Sequence, residues 1–155
     1  MINSTDFSEI FKNQIIIIAL ITYILNQILK LFIFYFTEKR WDFRRFIGAG
    51  GMPSTHSALS MCVAVTIGLS EGWNSPLFAL AIVMSFIIMA DATGVRRETG
   101  EQAKVLNKII LEFFEERKIR DKRLKELIGH TPFEVIVGGI IGMVMAGLLY
   151  YYLNF

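Results

Sequence analysis

Between Gln14 and Phe36 the chain runs for 23 residues with Lys30 as its single charged side chain. About 20 mostly apolar residues are what a helix needs to cross roughly 30 Å of hydrocarbon, so this run predicts a transmembrane helix. It is too long for the apolar core of a secretory signal, and no small-residue cleavage site precedes Thr37, so the segment is expected to stay in the protein. Composition agrees: 54% hydrophobic residues and a mean hydropathy of +0.49 exceed what a soluble domain of 155 residues carries.

Three further apolar segments follow, Ser57 to Leu69, Pro76 to Ala90 and Phe133 to Leu153. The middle two are short and need flanking residues or local thinning of the bilayer to complete a crossing. Four spans are therefore predicted, at about 14–36, 55–71, 76–94 and 132–153, in a single membrane domain. The connecting segments 37–54 and 95–131 hold nearly all of the basic residues, among them Lys39, Arg40, Arg44 and Arg45. By the positive-inside rule both are cytoplasmic, and the N- and C-termini lie outside. Within the second segment, Lys104 to Ile128 sets Leu106, Ile109, Ile110, Phe113 and Phe114 at helical spacing opposite Lys108, Glu112, Glu115 and Glu116. That pattern predicts an amphipathic helix, lying either along the cytoplasmic interface or as a lid on the bundle. The expected class is thus all-α: a polytopic helical membrane protein with about four transmembrane helices and a cytoplasmic interfacial helix.

Cys62, the one cysteine, sits in an apolar stretch, which excludes a disulfide framework or thiolate metal site and reads as packing. A net charge of +2 gives no basis for a nucleic-acid partner. Gly138, Gly139, Gly142, Ala146 and Gly147 give the last span a small-residue face, suited to a homodimer contact or to packing within one chain.

The residues able to carry chemistry gather at the ends of these spans. Gly50-Gly51-Met52-Pro53-Ser54-Thr55-His56-Ser57 closes a basic loop and opens the second span. A helix N-terminus with free N–H groups, together with a hydroxyl and a histidine, makes a phosphate seat; a plain Ser/Thr cap followed by an interfacial histidine explains the same string. His130-Thr131-Pro132-Phe133-Glu134 opens the last span. Thr131, Pro132 and Glu134 fit N-cap, first helical position and capping-box acid, and Glu134 is equally placed to orient the His130 imidazole. Asp91, Arg96 and Arg97 end the third span. The arginines can clamp phosphate oxygens, with Asp91 holding an arginine or a Mg²⁺ ion, or the three can form a topology anchor with an internal ion pair. Asn26, Gln27 and Lys30 form a polar stripe on the first span, as expected if that face lines a wet site. The charge-derived topology puts all of these at one depth, which suits phosphoryl transfer through one histidine with a second as acid.

These strings resemble the type 2 phosphatidic acid phosphatase and vanadium-dependent haloperoxidase superfamily, and more closely its divergent bacterial branch of small membrane proteins. The resemblance runs from Gln27 onward and rests on Gln27 and Lys30, GGMPSTHSA (50–58), DATGVRRETGEQAKVLN (91–107) and LKELIGHTPFEV (124–135). It implies that Ser54 binds phosphate, that His56 is the acid, and that His130 is the nucleophile oriented by Glu134 where the superfamily has aspartate. Thr55 stands where the superfamily has glycine. The superfamily's arginine seven residues after its lysine is absent, with Thr37 after Lys30 and Phe46 after Lys39, and Leu124 replaces the arginine six residues before the nucleophile. Arg96 and Arg97 are the candidates to replace them.

The reading is a phosphatase of the bacterial plasma membrane that hydrolyses a lipid phosphate or diphosphate at the cytoplasmic leaflet through a phosphohistidine. His130, His56 and Glu134 are catalytic; Lys30, Ser54, Thr55, Arg96, Arg97 and Asp91 hold substrate; no metal or other cofactor is required. Two alternatives stand beside it: a lipid-headgroup binding or transport protein without hydrolysis, and a Mg²⁺-dependent lipid phosphatase using Asp91 and Glu134.

Overall fold

A computed structural model describes residues 7–41, 51–114 and 129–153, with side chains described except at residues 7, 95–97 and 111–114. After a short 3-10 helix, Phe7–Lys12, come α1 (Gln14–Glu38), α2 (Thr55–Glu71), α3 (Pro76–Thr93), α4 (Val95–Phe114) and α5 (Pro132–Tyr152). Each start has a local cause. Asn13, Ser54, Ser75 and Thr131 are N-caps whose side chains accept a backbone N–H of the first turn. Proline occupies the opening turn of α3 and α5, where its missing N–H is not needed. Chain ends are as definite: α1 stops at Lys39 in the left-handed region, its N–H bonded to Tyr35 O at 2.8 Å, and α2 stops at Gly72 with φ of 91°.

The surface is apolar and much of the interior is polar, the reverse of a water-soluble bundle. Helix α3 buries only Ser85 and Ala92 while exposing Leu80, Val83, Phe86 and Ile87. On α1 the buried stripe is Ile18, Thr22, Asn26, Gln27, Lys30 and Phe34, and Leu20, Ile24 and Phe32 face outward. Lipid tails solvate such a surface, and polar groups then find partners only between helices. Among the described residues three helices are long and apolar enough to cross a membrane: Gln14–Glu38, the one starting at Pro76, and Pro132–Tyr152. The expected fourth, α2, has 17 residues, a length of about 26 Å at the lower edge of a crossing. It is the central helix, flanked by α1, α3 and α5, and nine of its residues are buried. Its modest hydropathy follows from facing protein rather than lipid.

Cross-links fix the directions. Thr55 meets Asn26 and Cys62 meets Thr22, so α1 is antiparallel to α2. Ser85 Oγ donates to Ser60 O at 2.8 Å and Gly68 abuts Phe78, so α3 is antiparallel as well. Ser54 lies against Gly138, Ala58 against Gly142, and Tyr150 Oη donates to Leu69 O at 3.2 Å, so α2 and α5 run parallel. Both helix N-termini therefore open at the end of the bundle where α1 and α3 finish. The expected amphipathic helix begins earlier than Lys104: α4 starts at Val95, directly after Gly94 with its non-helical φ of −98° and ψ of −100°. Its expected continuation to Ile128 lies outside the described residues beyond Phe114.

Gly138 and Gly142 permit the α2–α5 contact. A Cβ on Gly138 would collide with Ser54 O, and one on Gly142 with Ala58 O, with Ala58 C following at 2.9 Å. Backbone cannot yield as a side-chain tip can, so even one methyl must push the helices apart. Gly142→Ala should lower the melting temperature in detergent, a loss on the order of 1–3 kcal/mol as for other overpacked interiors. Gly147→Ala, where a Cβ meets nothing within 4 Å, should leave it unchanged.

Candidate active site

Three hydrogen-bonded joints gather the helix ends. Ser54 N donates to Glu134 O at 3.2 Å, tying the start of α2 to the first turn of α5. His130 N donates to Ala92 O at 3.2 Å, tying the residues before α5 to the last turn of α3. Asn26 Nδ2 donates to Thr55 Oγ1 at 3.0 Å, tying α1 to the start of α2. His130, Glu134, Ser54, Thr55 and the Asn26 to Lys30 turn thus share one end of the bundle, where the positive dipole ends of α2 and α5 meet.

The imidazole of His130 is 6% exposed, and its Nδ1 lies 3.0 Å from Glu134 Oε2. A carboxylate only accepts, so Nδ1 is the donor in this contact, and in the neutral ring the lone pair then falls on Nε2. The same Oε2 accepts the Thr131 N–H at 3.1 Å, and Thr131 Oγ1 accepts Glu134 N at 3.3 Å, completing the capping box. One carboxylate therefore caps the helix and orients the histidine.

Ser54 is fully buried, and its Oγ accepts from Ser57 Oγ at 2.9 Å and Ser57 N at 3.5 Å. In that arrangement its own hydroxyl proton is not used by Ser57. Thr55 differs: its Oγ1 accepts from Asn26 and donates to Gln27 Oε1 at 3.1 Å, so the hydroxyl is occupied by α1, and what it presents at the helix start is its backbone N–H. Gln27 Nε2 continues the chain to Tyr23 Oη at 3.3 Å. Lys30 is 3% exposed on the same stripe, one turn beyond Asn26. His56 is exposed on the first turn of α2, and Asp91 is half-buried near the end of α3. Arg96 and Arg97 fall on the first turn of α4, and their side chains lie outside the described residues. Among the described residues no three His, Cys, Asp or Glu side chains gather as a metal-holding group. An open cleft at the opposite end, lined by Lys12, Asn13, Ser70, Glu71 and Tyr150, contains none of the residues singled out above.

Sequence reasoning placed Asn26 and Gln27 on a wet stripe but missed that their partner is Thr55, and it missed the Ala92 carbonyl that holds His130. The first had a signal, two amides and a hydroxyl at helix ends that a membrane obliges to pair. The second had none, because every residue carries a carbonyl.

Removal of the Thr55 hydroxyl would leave the Asn26 amide and the Gln27 carbonyl with one partner fewer each in a buried place. Thr55→Val should destabilise the protein by about 1–3 kcal/mol, whereas Thr55→Ser should retain most of its stability; thermal unfolding in detergent reads both.

A family model described as the divergent PAP2 family matches residues 11–145. The uncharacterized membrane protein YuiD of Bacillus subtilis (strain 168) is 36% identical, the alignment covering 93% of this chain and 98% of that protein. No solved structure matches. The matched stretch takes in α1 to α4 and most of α5, and with them every joint described above; the chain belongs to the divergent PAP2 family.

Proposed function

We propose that the protein is a phosphatase acting on a lipid phosphate or diphosphate at the cytoplasmic leaflet, with His130 as the nucleophile. The observation that carries this reading is the 3.0 Å contact from His130 Nδ1 to Glu134 Oε2, made by a buried histidine where two helix N-termini meet. Nε2 attacks phosphorus as the P–O bond to the lipid breaks, and His56 gives its proton to the departing oxygen. Water, deprotonated by His56, then attacks phosphorus, breaks the N–P bond and releases inorganic phosphate. Lys30, the Ser54 hydroxyl, the Thr55 N–H, Arg96 and Arg97 stabilise the charge on the phosphoryl oxygens, and burial strengthens the interactions of Lys30, Ser54 and Thr55. Asp91 positions one of the arginines.

Phosphate release from phosphatidic acid, phosphatidylglycerol phosphate and prenyl diphosphates by the purified protein tests the proposal. His130→Ala should fall to background. Glu134→Gln keeps a capping-box side chain but not the anionic acceptor, so kcat should drop by roughly 10²–10⁴ with little change in melting temperature. Phosphatidic acid expels a poor alkoxide, and a diphosphate a better phosphate leaving group. His56→Ala should therefore slow hydrolysis of phosphatidic acid more than that of a prenyl diphosphate. Undiminished release by His130→Ala overturns the mechanism, loss of activity in chelator supports the Mg²⁺-dependent reading, and binding without release supports a headgroup-binding protein.

A further inference from the structure

Helix α4 separates its polar and apolar residues more sharply than the other described α-helices. At 3.6 residues per turn its later side chains fall into three stripes, while exposed Glu98 and Gln102, one to two turns earlier, stand in line with the apolar one. Gly100, Ala103 and Asn107 form a buried stripe. Glu101, Lys104 and Lys108 form an exposed charged one. The third holds Val105, Leu106 and Ile109, which are 58%, 47% and 43% exposed. Three large apolar side chains in a row are not left in water without reason.

Two observations say what covers them. Among the described helices α4 touches only α3, so it does not fold back across α1, α2 and α5 as a lid would. It also follows α3 directly after the non-helical Gly94, and α3 carries an outward apolar face, Leu80, Val83, Phe86 and Ile87, whose only suitable solvent is lipid. The chain thus passes from a lipid-facing helix into α4 through Gly94 alone.

We infer that α4 lies on the bilayer surface, with Val105, Leu106 and Ile109 sunk at the boundary of headgroups and acyl chains and Lys104 and Lys108 toward water. A sharply two-faced helix of low mean hydropathy with lysines on its polar side is the form suited to that position. Because Val95 comes three residues after Ala92, whose carbonyl holds His130 N, the surface helix sets the His130 segment at headgroup depth. This inference is independent of whether the site hydrolyses anything.

Spin labels test it on the full-length protein in a Cys62→Ser background, reconstituted in vesicles of phosphatidylcholine with phosphatidylglycerol. Labels at Val105→Cys and Ile109→Cys should collide severalfold more with oxygen, relative to a water-soluble nickel complex, than labels at Glu101→Cys and Lys108→Cys. Leu106→Trp, an unlabelled variant in a Trp41→Phe, Trp73→Phe background, should be quenched by lipids brominated near the headgroup end of the chain more than by lipids brominated near its tip. Equal oxygen-to-nickel ratios on the two faces would overturn the inference. So would dipolar broadening at Val105 and Ile109 that disappears on mixing with unlabelled protein, which would assign the stripe to a second copy.

Discussion

The close approach of α2 and α5 is the contact on which the rest of the arrangement depends. Two parallel helices meet backbone to backbone because Gly138 and Gly142 face Ser54 and Ala58 without a Cβ between them. In a bilayer there is little hydrophobic drive between helices, so such contact distances give packing its strength. Parallel packing also brings the two N-termini to the same end of the bundle, with α5 starting one to two turns before the level of Ser54. Ser54 N reaches Glu134 O only because the glycines let it. The positive end that would receive a phosphate is thus a consequence of how two helices pack.

Polar residues do the complementary work. Thr22, Asn26, Gln27 and Lys30 lie on one buried face of α1, and Thr55, Cys62 and Thr66 lie among the buried residues of α2. In hydrocarbon each must find a partner, and Asn26–Thr55 and Thr22–Cys62 pair across the helices, holding α1 in register against α2. Glu134 shows the same economy at the other joint, where one oxygen serves both the Thr131 N–H and the His130 ring. A capping acid in a soluble helix would be worth about 1 kcal/mol; here the same group also selects which ring nitrogen is open.

Much of this was legible in the sequence because it is local. Thr131-Pro132-Phe133-Glu134 has the spacing of a capping box, Ser54 precedes an apolar run, and a long apolar stretch such as Gln14 to Phe36 has few folds open to it. The small-residue face of α5 was legible as a contact surface, but its partner was not, since a dimer and an intrachain contact ask for the same residues. Packing decided it for Gly138, Gly142 and Ala146, which are buried within one chain. The partners of the Thr55 hydroxyl, Asn26 and Gln27 on α1, were not legible, because tertiary contacts of that kind leave no mark in spacing. The start of α4 was set too late because the amphipathic pattern becomes clear only after Lys104, while Val95, Thr99 and Gly100 are weak helix formers that give little local signal.

The central claim is that His130 carries the phosphoryl group. Its most direct test is to mix the protein with a lipid phosphate labelled with ³²P, quench within a turnover in alkali, and map the label by peptide. The account predicts a base-stable, acid-labile phosphoryl group on the peptide containing His130, absent in His130→Ala and discharged as the unlabelled substrate turns over. Phosphate release proceeding with no label on that peptide, or label on a residue other than His130, would contradict it.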